Sequence, residues 1–367
     1  MKSVLLITHD TSISGAPKSI LLVFEELIKK NIKVTTIALK GGGKLEERFK
    51  KLSFCYYDIH SLSKDYKYSI KNRFKKKFFG VPFTSEYDLF VNEISKSNFD
   101  VIYCNTVVSL NLAIELNKLI RAKLILHIHE LKTVIDEFCL NLSAFHSLID
   151  SFIVPSLLNQ MCLINDFSIP KEKIFLIRET TDIVNEDFIQ SRNRNNFNVL
   201  MCGGAYWRKG DDLFIQIANL ILKRDKRFRF FWLGQQSDER KRVNELDVNN
   251  LGIEQYIHFI DETENIKEWY LKTDIFLLTS REDPFPLAAI DAGILGIPIF
   301  CFSKTTGIEE VINSFCVIPY LDLEIMSKRI ISLVDDQDMY TLISNENIKS
   351  FNKFTPELIS NQVEKLL

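Results

Sequence analysis

Short apolar runs rich in β-branched residues recur along the chain, and longer segments of mixed polarity separate them. Runs of this kind are typical of strands that are buried on both faces of a parallel sheet. In chain order they are VLLIT, VTTIA, VIYCN, LILHIH, FIVPS, IFLI, NVLMCG, FRFFWLG, IHFI, IFLLTS and IPIFCF. The pattern therefore predicts an α/β protein built on parallel strands.

Most segments between the runs have the period of an amphipathic helix. In APKSILLVFEELIKK, for example, one face carries Ile20, Leu21, Phe24, Leu27 and Ile28. The alternation of strand and helix occurs twice, which predicts two doubly wound α/β sheets. A chain of 367 residues suits two such domains, because a single core stops growing near roughly 250 residues.

A polar stretch without periodicity, Asn185 to Asn198, lies between the two series of runs. Such stretches are typical of linkers, so we predict an N-terminal domain at 1–184 and a C-terminal domain at 199–350. The last segment, 351–367, contains a threonine followed by proline, which is a favourable helix start. We expect this final helix to pack back on the N-terminal domain.

Charge is nearly balanced, with 46 Lys and Arg against 48 Asp and Glu, so no overall field favours nucleic acid. The apolar run at the start is too short for a signal peptide, and no run reaches the roughly 18 apolar residues of a membrane span. The seven cysteines are scattered without metal-ligand spacing, as in reduced cytosolic proteins. We therefore expect a cytoplasmic protein without a nucleic-acid partner.

Ligands of open parallel sheets bind beyond the carboxyl ends of the strands, so the loops after the runs are the candidate sites. The first such loop contains Ser14, Gly15 and Ala16, which are small enough to let a phosphate or sugar approach a helix N-terminus. An ordinary tight turn explains the same residues equally well.

A second loop, CGGAYWRKGDDLF, predicts an anion site. Gly203 and Gly204 leave space after a strand, and Arg208 and Lys209 at the start of a helix can neutralise phosphate oxygens. The spacing matches neither the dinucleotide fingerprint nor the Walker loop. The alternative is a pair of solvated basic residues on a helix.

A third loop places two acids on either side of a Pro-Phe-Pro turn. Pro284 and Pro286 force an extended turn after IFLLTS, and small residues allow the next helix close contacts. Asp283 then precedes the turn, and Asp291 lies on the helix after it. Solvated surface acids are the alternative.

A fourth loop follows LILHIHEL, where His127 and His129 alternate with apolar residues and share one face near the end of a strand. Histidines in this position are often structural. Together with Glu130 they suggest a metal site, but the helical zinc signature is missing and no third ligand is evident.

Taken in order, these four loops resemble the retaining glycosyltransferases of family four over nearly the whole chain. The segment DPFPLAAIDAGILGIP is similar to their Glu-Pro-Phe-Gly, Glu-Ala and Gly-x-Pro signature, with aspartate at both acidic positions. WRKGDDLF resembles their Lys-Gly helix start, SGAPKS their glycine loop, and LILHIHEL their strand with an acceptor-side histidine. The resemblance implies a GT-B fold: two Rossmann-like domains face each other across a nucleotide-sugar cleft, and the C-terminal helix returns to the N-terminal domain.

The resemblance also implies roles for individual residues. Asp283 would contact the donor sugar and Asp291 the ribose hydroxyls, since carboxylates accept pairs of hydroxyl hydrogens. Lys209, and next Arg208, would neutralise the leaving diphosphate, and His129 would contact the transferred sugar or its acceptor. The other implied donor-binding positions are Ser14, Gly15, Ala16, Gly203, Gly204, Phe285, Pro286 and Leu287, the last three through the backbone of the turn.

The chain departs from the family pattern in two ways. Aspartate is one methylene shorter than glutamate, and the family's diphosphate-binding arginine falls on Gly204, for which Arg208 can substitute from the next turn. We expect no metal cofactor: the literal Asp-x-Asp at Asp336 and Asp338 lies in a late helical region and is explained by surface acids. Retention is implied by the family, with attack from the leaving-group face.

The N-terminal domain is expected to handle a glycan or lipid-linked glycan acceptor, as in bacterial-type surface polysaccharide synthesis. Its basic, aromatic segment from Lys64 to Gly80 could contact an anionic membrane, where each basic residue adds roughly 1 kcal/mol; a solvated loop is the alternative. Two other functions stay open: a degenerate nucleotide-sugar-binding subunit, and a nucleotide-sugar epimerase of related fold.

Overall fold

The computed structural model describes residues 1–62, 86–184, 196–263 and 265–367. These residues form two compact units, each with its own parallel sheet. The first unit consists of Met1–Pro155, Asn159–Thr180 and Pro356–Leu367. The second unit consists of Ser156–Leu158 and Thr181–Thr355.

The first unit has a seven-stranded sheet in the order β3-β2-β1-β4-β5-β6-β7, and all its pairs are parallel. Its strands are β1 (Ser3–Asp10), β2 (Lys33–Lys40), β3 (Cys55–Asp58), β4 (Val101–Asn105), β5 (Lys123–His127), β6 (Ser151–Val154) and β7 (Ile174–Leu176). The helices of this half of the chain are α1 (Gly15–Lys29), α2 (Glu46–Leu52), α3 (Glu86–Lys96), α4 (Leu110–Ile120), α5 (Lys132–Phe138), α6 (Leu142–Phe145) and α7 (Leu157–Phe167).

The second unit has a six-stranded parallel sheet in the order β10-β9-β8-β11-β12-β13. Its strands are β8 (Phe197–Cys202), β9 (Phe228–Leu233), β10 (Ile257–Ile260), β11 (Ile275–Leu278), β12 (Ile299–Phe302) and β13 (Val317–Ile318). Its helices are α8 (Asp211–Leu222), α9 (Asp238–Leu251), α10 (Ile266–Leu271), α11 (Leu287–Ile294), α12 (Leu323–Asp335) and α13 (Gln337–Phe351).

The last helix, α14 (Pro356–Glu364), belongs to the first unit. Its buried residues Ile359 and Val363 join the core beneath α1, and Lys30 Nζ donates to Glu364 Oε2 at 2.7 Å. The fold class predicted from the sequence, including the return of this helix, is confirmed. None of the described helices combines the length and apolarity needed to span a bilayer.

Strand order places the candidate loops. In the first sheet β1 lies between β2 and β4, and in the second β8 lies between β9 and β11. The order in which successive strands are added to the sheet reverses at these points, which leaves a crevice at the carboxyl ends of the two central strands. The loops that follow β1 and β4 therefore meet in the first unit, and the loops that follow β8 and β11 meet in the second.

The predicted boundaries differ from those of the structure. The N-terminal part of the first unit ends at Thr180, before the predicted 184, because the residues from Thr181 to Thr355 belong to the second unit. Phe197 and Asn198, predicted as linker, begin β8, and the rest of that prediction at 185–195 lies outside the described residues. The final helix starts at Pro356 because α13 continues to Phe351. The basic segment from Lys64 to Gly80 also lies outside the described residues.

Candidate functional site

The loop after β8 is shaped by glycines. Gly210 has φ +75°, and a Cβ there would lie 2.2 Å from the carbonyl oxygen of Thr279. Only glycine adopts this left-handed conformation without strain and leaves room for that contact. It lets the chain turn from the short 3₁₀ helix Trp207–Lys209 into α8. Lys209 is thereby placed against the end of β11.

Lys209 and Asp283, which the sequence analysis assigned to one site, are in direct contact. Lys209 Nζ donates to Asp283 Oδ2 at 2.5 Å, and their side chains are 13% and 7% exposed. Ser280 Oγ donates to the same carboxylate oxygen at 3.1 Å. The pair is therefore a shielded ion pair, and Asp283 is not a solvated surface acid.

Arg208 lies beside this pair. Its Nη1 donates to the carbonyl oxygen of Glu282 at 2.7 Å, and its Nη2 donates to the hydroxyl of Tyr206 at 3.1 Å. Burial lowers the pKa of this guanidinium, but the negative charge of Asp283 raises it, with a net rise. The loop thus presents a second cation near Asp283 that stays charged.

The two loops of this site are tied together by Arg281. Its guanidinium forms a bidentate ion pair with Asp212, at 2.9 and 2.7 Å. Arg281 Nη1 also donates to the carbonyl oxygen of Trp207, and the backbone amide of Arg281 donates to the carbonyl oxygen of Arg208. The loop after β11 is thereby fixed against the loop after β8.

Gly204 and Gly203 follow β8 directly. Gly203 has φ +145°, and its carbonyl oxygen accepts a hydrogen bond from Trp232 Nε1 at 2.8 Å. A Cβ on Gly204 would lie 2.8 Å from the ring of Tyr206. The ring of Tyr206 therefore occupies space that an arginine at 204 would need. The guanidinium carbon of Arg208 lies over the same ring, 5.6 Å from its centroid.

The Pro-Phe-Pro turn leads into α11. Pro286 is the N-cap residue and Leu287 the first helical residue, so the first amides of the helix lack partners within it. Phe285 is 4% exposed and packs edge-to-face on Phe354, with centroids 5.6 Å apart. Its side chain belongs to the core, so Phe285 can contact a ligand only through its backbone.

Asp291 lies in a separate polar network. It is 4% exposed; Thr181 Oγ1 donates to its Oδ1 at 2.5 Å, and the hydroxyl of Tyr270 donates to its Oδ2 at 3.4 Å. Burial raises the pKa of the Cys202 thiol, and the charge of Asp291 raises it further. Both carboxylate oxygens therefore have protein partners, so a ribose would share or displace the Thr181 hydroxyl.

In the first unit, His129 links three elements. Its Nδ1 is 2.6 Å from Glu179 Oε1, and its Nε2 is 2.6 Å from Asn105 Oδ1. Asn105 ends β4, whereas Glu179 follows β7. His127 lies next to it, with ring centroids 3.9 Å apart, so the two histidines share one face as predicted.

His127 has a different environment from His129. Its Nδ1 shares a 2.9 Å hydrogen bond with the hydroxyl of Tyr103. Its Nε2 is buried, lies 3.8 Å from Glu179 Oε1, and has no hydrogen-bond partner among the described residues. Burial lowers the pKa of His127 well below the ordinary value, and the neighbouring His129 lowers it further. His127 is therefore neutral.

The ligand-type atoms of His127, His129 and Glu179 lie within 4.8 Å of one another. Two ligands at about 2.1 Å from one tetrahedral ion are separated by roughly 3.4 Å. The 2.6 Å between His129 Nδ1 and Glu179 Oε1 is instead the distance of a charge-assisted hydrogen bond. The geometry is that of an ion pair rather than a metal site.

The first glycine loop joins this cluster. Ser14 is the N-cap residue of α1, and its hydroxyl is 2.8 Å from that of Ser12. Gly15 is exposed at the helix start, and the carbonyl oxygen of Ala16 accepts from Asn105 Nδ2 at 3.3 Å. The predicted residues Ser14 to Ala16 and His129 are thus connected through Asn105.

The predicted site residues therefore fall into three groups: Lys209, Arg208 and Asp283 with the two glycines; Asp291 with its own partners; and His129 with the glycine loop. The sequence analysis missed the residues that hold them: Asn105, Glu179, Thr181, Tyr270 and Ser280. Asn105 ends a central strand, and the strand-end rule could have found it. Nothing in the sequence pattern marks Glu179 or Thr181.

The Asp-x-Asp at the end of the chain has a structural role. Asp336 is the N-cap residue of α13, and its Oδ1 accepts from the backbone amide of Met339 at 2.9 Å. Asp338 lies in the first turn of the same helix, where a negative charge is favourable. This motif is a helix start.

A family model described as glycosyl transferases group 1 matches residues 196–336. An uncharacterized glycosyltransferase of Haemophilus influenzae is 22% identical over 183 residues, which are 47% of this chain and 50% of the relative. The N,N'-diacetylbacillosaminyl-diphospho-undecaprenol alpha-1,3-N-acetylgalactosaminyltransferase of Campylobacter jejuni is 24% identical over 211 residues, 57% of this chain and 54% of the relative. The chain thus spans about half the length of these curated relatives.

Solved structures match over the whole chain. HepE of Anabaena in complex with UDP has a TM-score of 0.77 at 16% identity and covers 100% of this chain and 99% of its own. Sucrose-phosphate synthase of Thermosynechococcus elongatus has a TM-score of 0.71 at 15% identity, with coverages of 100% and 98%. Identities this low show the fold alone. Residues 196–336 of the second unit thus match the group 1 glycosyltransferase model, as the resemblance predicts, and the fold of the chain is GT-B.

Proposed function

We propose that this protein is a glycosyltransferase that moves a sugar from a nucleotide-sugar to a glycan or lipid-linked glycan acceptor, in bacterial-type surface polysaccharide synthesis. The observation that carries the proposal is the shielded contact between Lys209 and Asp283, inside the segment matched by the family model. The names of the relatives support it: the Campylobacter enzyme acts on a diphospho-undecaprenol acceptor, and HepE has been crystallised with UDP-glucose.

The chemistry follows from charge. Breaking the bond between the sugar and the diphosphate leaves negative charge on the phosphate, and fixed cations in a shielded site stabilise that charge most effectively. Lys209 and Arg208 supply these cations. Lys209 turns from Asp283 toward the phosphate, and Arg208 reaches the phosphate from its position over the ring of Tyr206. Asp283 then accepts hydrogen bonds from the sugar hydroxyls. Because both cations come from the protein, we propose that no metal ion is required.

We further propose that the reaction retains the configuration of the sugar, with the acceptor attacking from the face of the leaving group. In this mechanism the diphosphate oxygen that leaves also takes the proton of the acceptor hydroxyl, so no side chain forms a bond to the sugar. Mass spectrometry after incubation with a slow fluorinated donor tests this step. A glycosyl group attached to any side chain would disprove it.

The test of the donor site is thermal stabilisation by UDP-, GDP- and ADP-sugars in the presence of EDTA. We expect one nucleotide to raise the melting temperature of the wild type, since a ligand stabilises the state that binds it. Lys209→Met should abolish the rise. Lys241→Ala, a change at an exposed lysine of α9, should preserve it. No rise with any donor, or a rise that survives in Lys209→Met, would contradict the proposed site.

Turnover separates this function from its two rivals. Transfer to a lipid-linked glycan supports the proposal. A donor that binds and is never consumed would indicate a degenerate binding subunit, and release of isomerised sugar from donor alone would indicate an epimerase.

Peripheral contact with an anionic membrane through the segment from Lys64 to Gly80 is part of the proposal, because a lipid-linked acceptor lies in a bilayer. Flotation with anionic liposomes tests it, using the full chain and a variant in which the five basic residues of KNRFKKK are glutamine. Equal flotation of the two proteins would remove this part of the proposal.

A further inference from the structure

A line of partly buried hydrogen bonds runs through the first unit and ends at Glu179. It passes from Glu179 Oε1 to His129 Nδ1 at 2.6 Å, from His129 Nε2 to Asn105 Oδ1 at 2.6 Å, and from Asn105 Nδ2 to the carbonyl oxygen of Ala16 at 3.3 Å. Glu179 is 4% exposed. A carboxylate this deeply buried needs a partner to offset its lost hydration, and His129 provides it.

The partners of His129 determine its protonation. A carboxylate can only accept a hydrogen bond. The amide of Asn105 is oriented by the bond from its Nδ2 to Ala16, which turns its Oδ1, also an acceptor, toward the ring. A ring nitrogen bonds to an acceptor only when it carries a proton. Both nitrogens of His129 face acceptors, so the ring is an imidazolium.

We infer that Glu179 is a positioning residue: it keeps His129 doubly protonated, and through Asn105 this holds the loop Ser14–Ala16 in place. The inference rests on the proposed function in one respect only, namely that His129 and this loop serve sugar transfer. Without this carboxylate, the imidazolium form of His129 loses the negative charge and the hydrogen-bond acceptor that stabilise it. Its bond to Asn105 then depends on which tautomer the neutral ring adopts.

The other titratable groups around His129 are consistent with this assignment. Glu130 Oε2 accepts from the backbone amide of His129 at 2.8 Å, and burial raises the pKa of this carboxyl. His127 at the end of β5 and His9 on β1 have pKa values lowered by burial, so neither competes for the charge. Burial lowers the pKa of His129, but the charge and the hydrogen bond of Glu179, together with the charge of Glu130, outweigh the effect of burial, and the net shift is upward.

The test is a titration of the full chain labelled with ¹⁵N at histidine, followed by long-range ¹H–¹⁵N correlation spectra that distinguish the imidazolium from the neutral tautomers. The chain has six histidines, and a His129→Asn sample identifies the signals of His129. We expect wild-type His129 to remain an imidazolium at pH 8. In Glu179→Gln its midpoint should fall by at least about one pH unit, the usual effect of removing an opposite charge.

Tyr103→Phe is the matched control, because it removes the partner of His127 and leaves the pair of His129 and Glu179 intact. In this variant His129 should titrate as in the wild type. A neutral wild-type His129 at pH 8 would overturn the inference even if Glu179→Gln does not fold. An unchanged midpoint in a folded Glu179→Gln would also overturn it.

A second readout connects the pair to transfer. The wild-type kcat should change little between pH 6 and pH 8, whereas kcat of Glu179→Gln should fall toward pH 8 as His129 loses its proton. Parallel pH profiles would show that the pair does not serve transfer. Absence of transfer by the wild type would refute the proposed function and leave the titration of His129 to decide the inference.

Discussion

The contact between Lys209 and Asp283 gives the sharpest test of the second unit, through Lys209→Met, Asp283→Asn and the double variant. Removing one partner leaves the other charge buried without compensation, which costs about 3–5 kcal/mol in a fully buried pair. Ser280 still donates to Asp283, and 13% of the Lys209 side chain is exposed. We therefore expect each single variant to lose somewhat less, about 2–3 kcal/mol.

The double variant removes both charges together and should lose only about 2 kcal/mol, which gives a coupling energy of at least about 2 kcal/mol. Urea unfolding without donor measures it. All three tryptophans of the chain, Trp207, Trp232 and Trp269, lie in the second unit, so their fluorescence reports the unfolding of that unit. This avoids treating two units as a single transition.

The pair of Arg224 and Glu324 on the same unit is the control. Its nitrogen and oxygen are 2.7 Å apart, but the side chains are 40% and 52% exposed, and exposed pairs contribute under about 1 kcal/mol. The coupling in Arg224→Met with Glu324→Gln should therefore be much smaller. If the losses in Lys209→Met and Asp283→Asn simply add, the two side chains do not form the shielded pair on which the donor site is built.

Three further predictions follow from the structure. Gly210→Ala should destabilise the second unit by more than about 2 kcal/mol in the same fluorescence assay, whereas Gly252→Ala, also at positive φ but with no atom within 4 Å of the new Cβ, should cost about 1 kcal/mol; equal losses would exclude the contact with Thr279. Asp291→Asn should mainly weaken donor binding, whereas Lys209→Ala should weaken donor binding and also lower kcat, because it removes a cation that stabilises the leaving diphosphate; steady-state kinetics that show only a common loss of affinity would contradict this division of roles. Although burial raises the pKa of Glu179, the charge and hydrogen bond of His129 lower it to about 2. The stabilisation by this carboxylate is therefore present above its unfolded pKa near 4.3 and is lost as pH falls toward 2. The difference in melting temperature between wild type and Glu179→Gln should shrink between pH 5 and pH 3, and a constant difference would show that the carboxylate is not paired.

The sequence pattern predicted the buried strands and missed two strands at the sheet edges. The central strands β1 and β4 are almost completely buried, so their sequences are continuous apolar runs. The missed strand β3 has intermediate burial at every position, and β13 has only two residues. Each of these two strands has a neighbouring strand on one side only, so neither needs the continuous apolar run that identifies a fully buried strand.

The site could be predicted as far as it depends on strand ends. Lys209 and Asp283 are distant in sequence but follow adjacent strands, β8 and β11, and the positions after parallel strands converge. Asn105, a partner of His129, also ends a strand and could be found this way, but Glu179 beside His129 and Thr181 beside Asp291 could not. Glu179 and Thr181 lie in the segment after β7, whose path depends on packing rather than on any period in the sequence. The pairing of Glu179 with His129 and of Asp291 with Thr181 is therefore known only from the structure.

The bonds that join the loops after β8 and β11 have a consequence for the thermodynamics of binding. Arg281 and Arg208 hold the two loops together by donating to backbone carbonyl oxygens of the opposite loop. The conformation of the two loops is therefore fixed when the protein folds, before any ligand binds. The entropy of ordering these side chains, about 0.5–1.5 kcal/mol for each, is then absent from the free energy of association. Binding at these two loops should accordingly be fast and should show little of the unfavourable entropy that accompanies the ordering of a flexible loop.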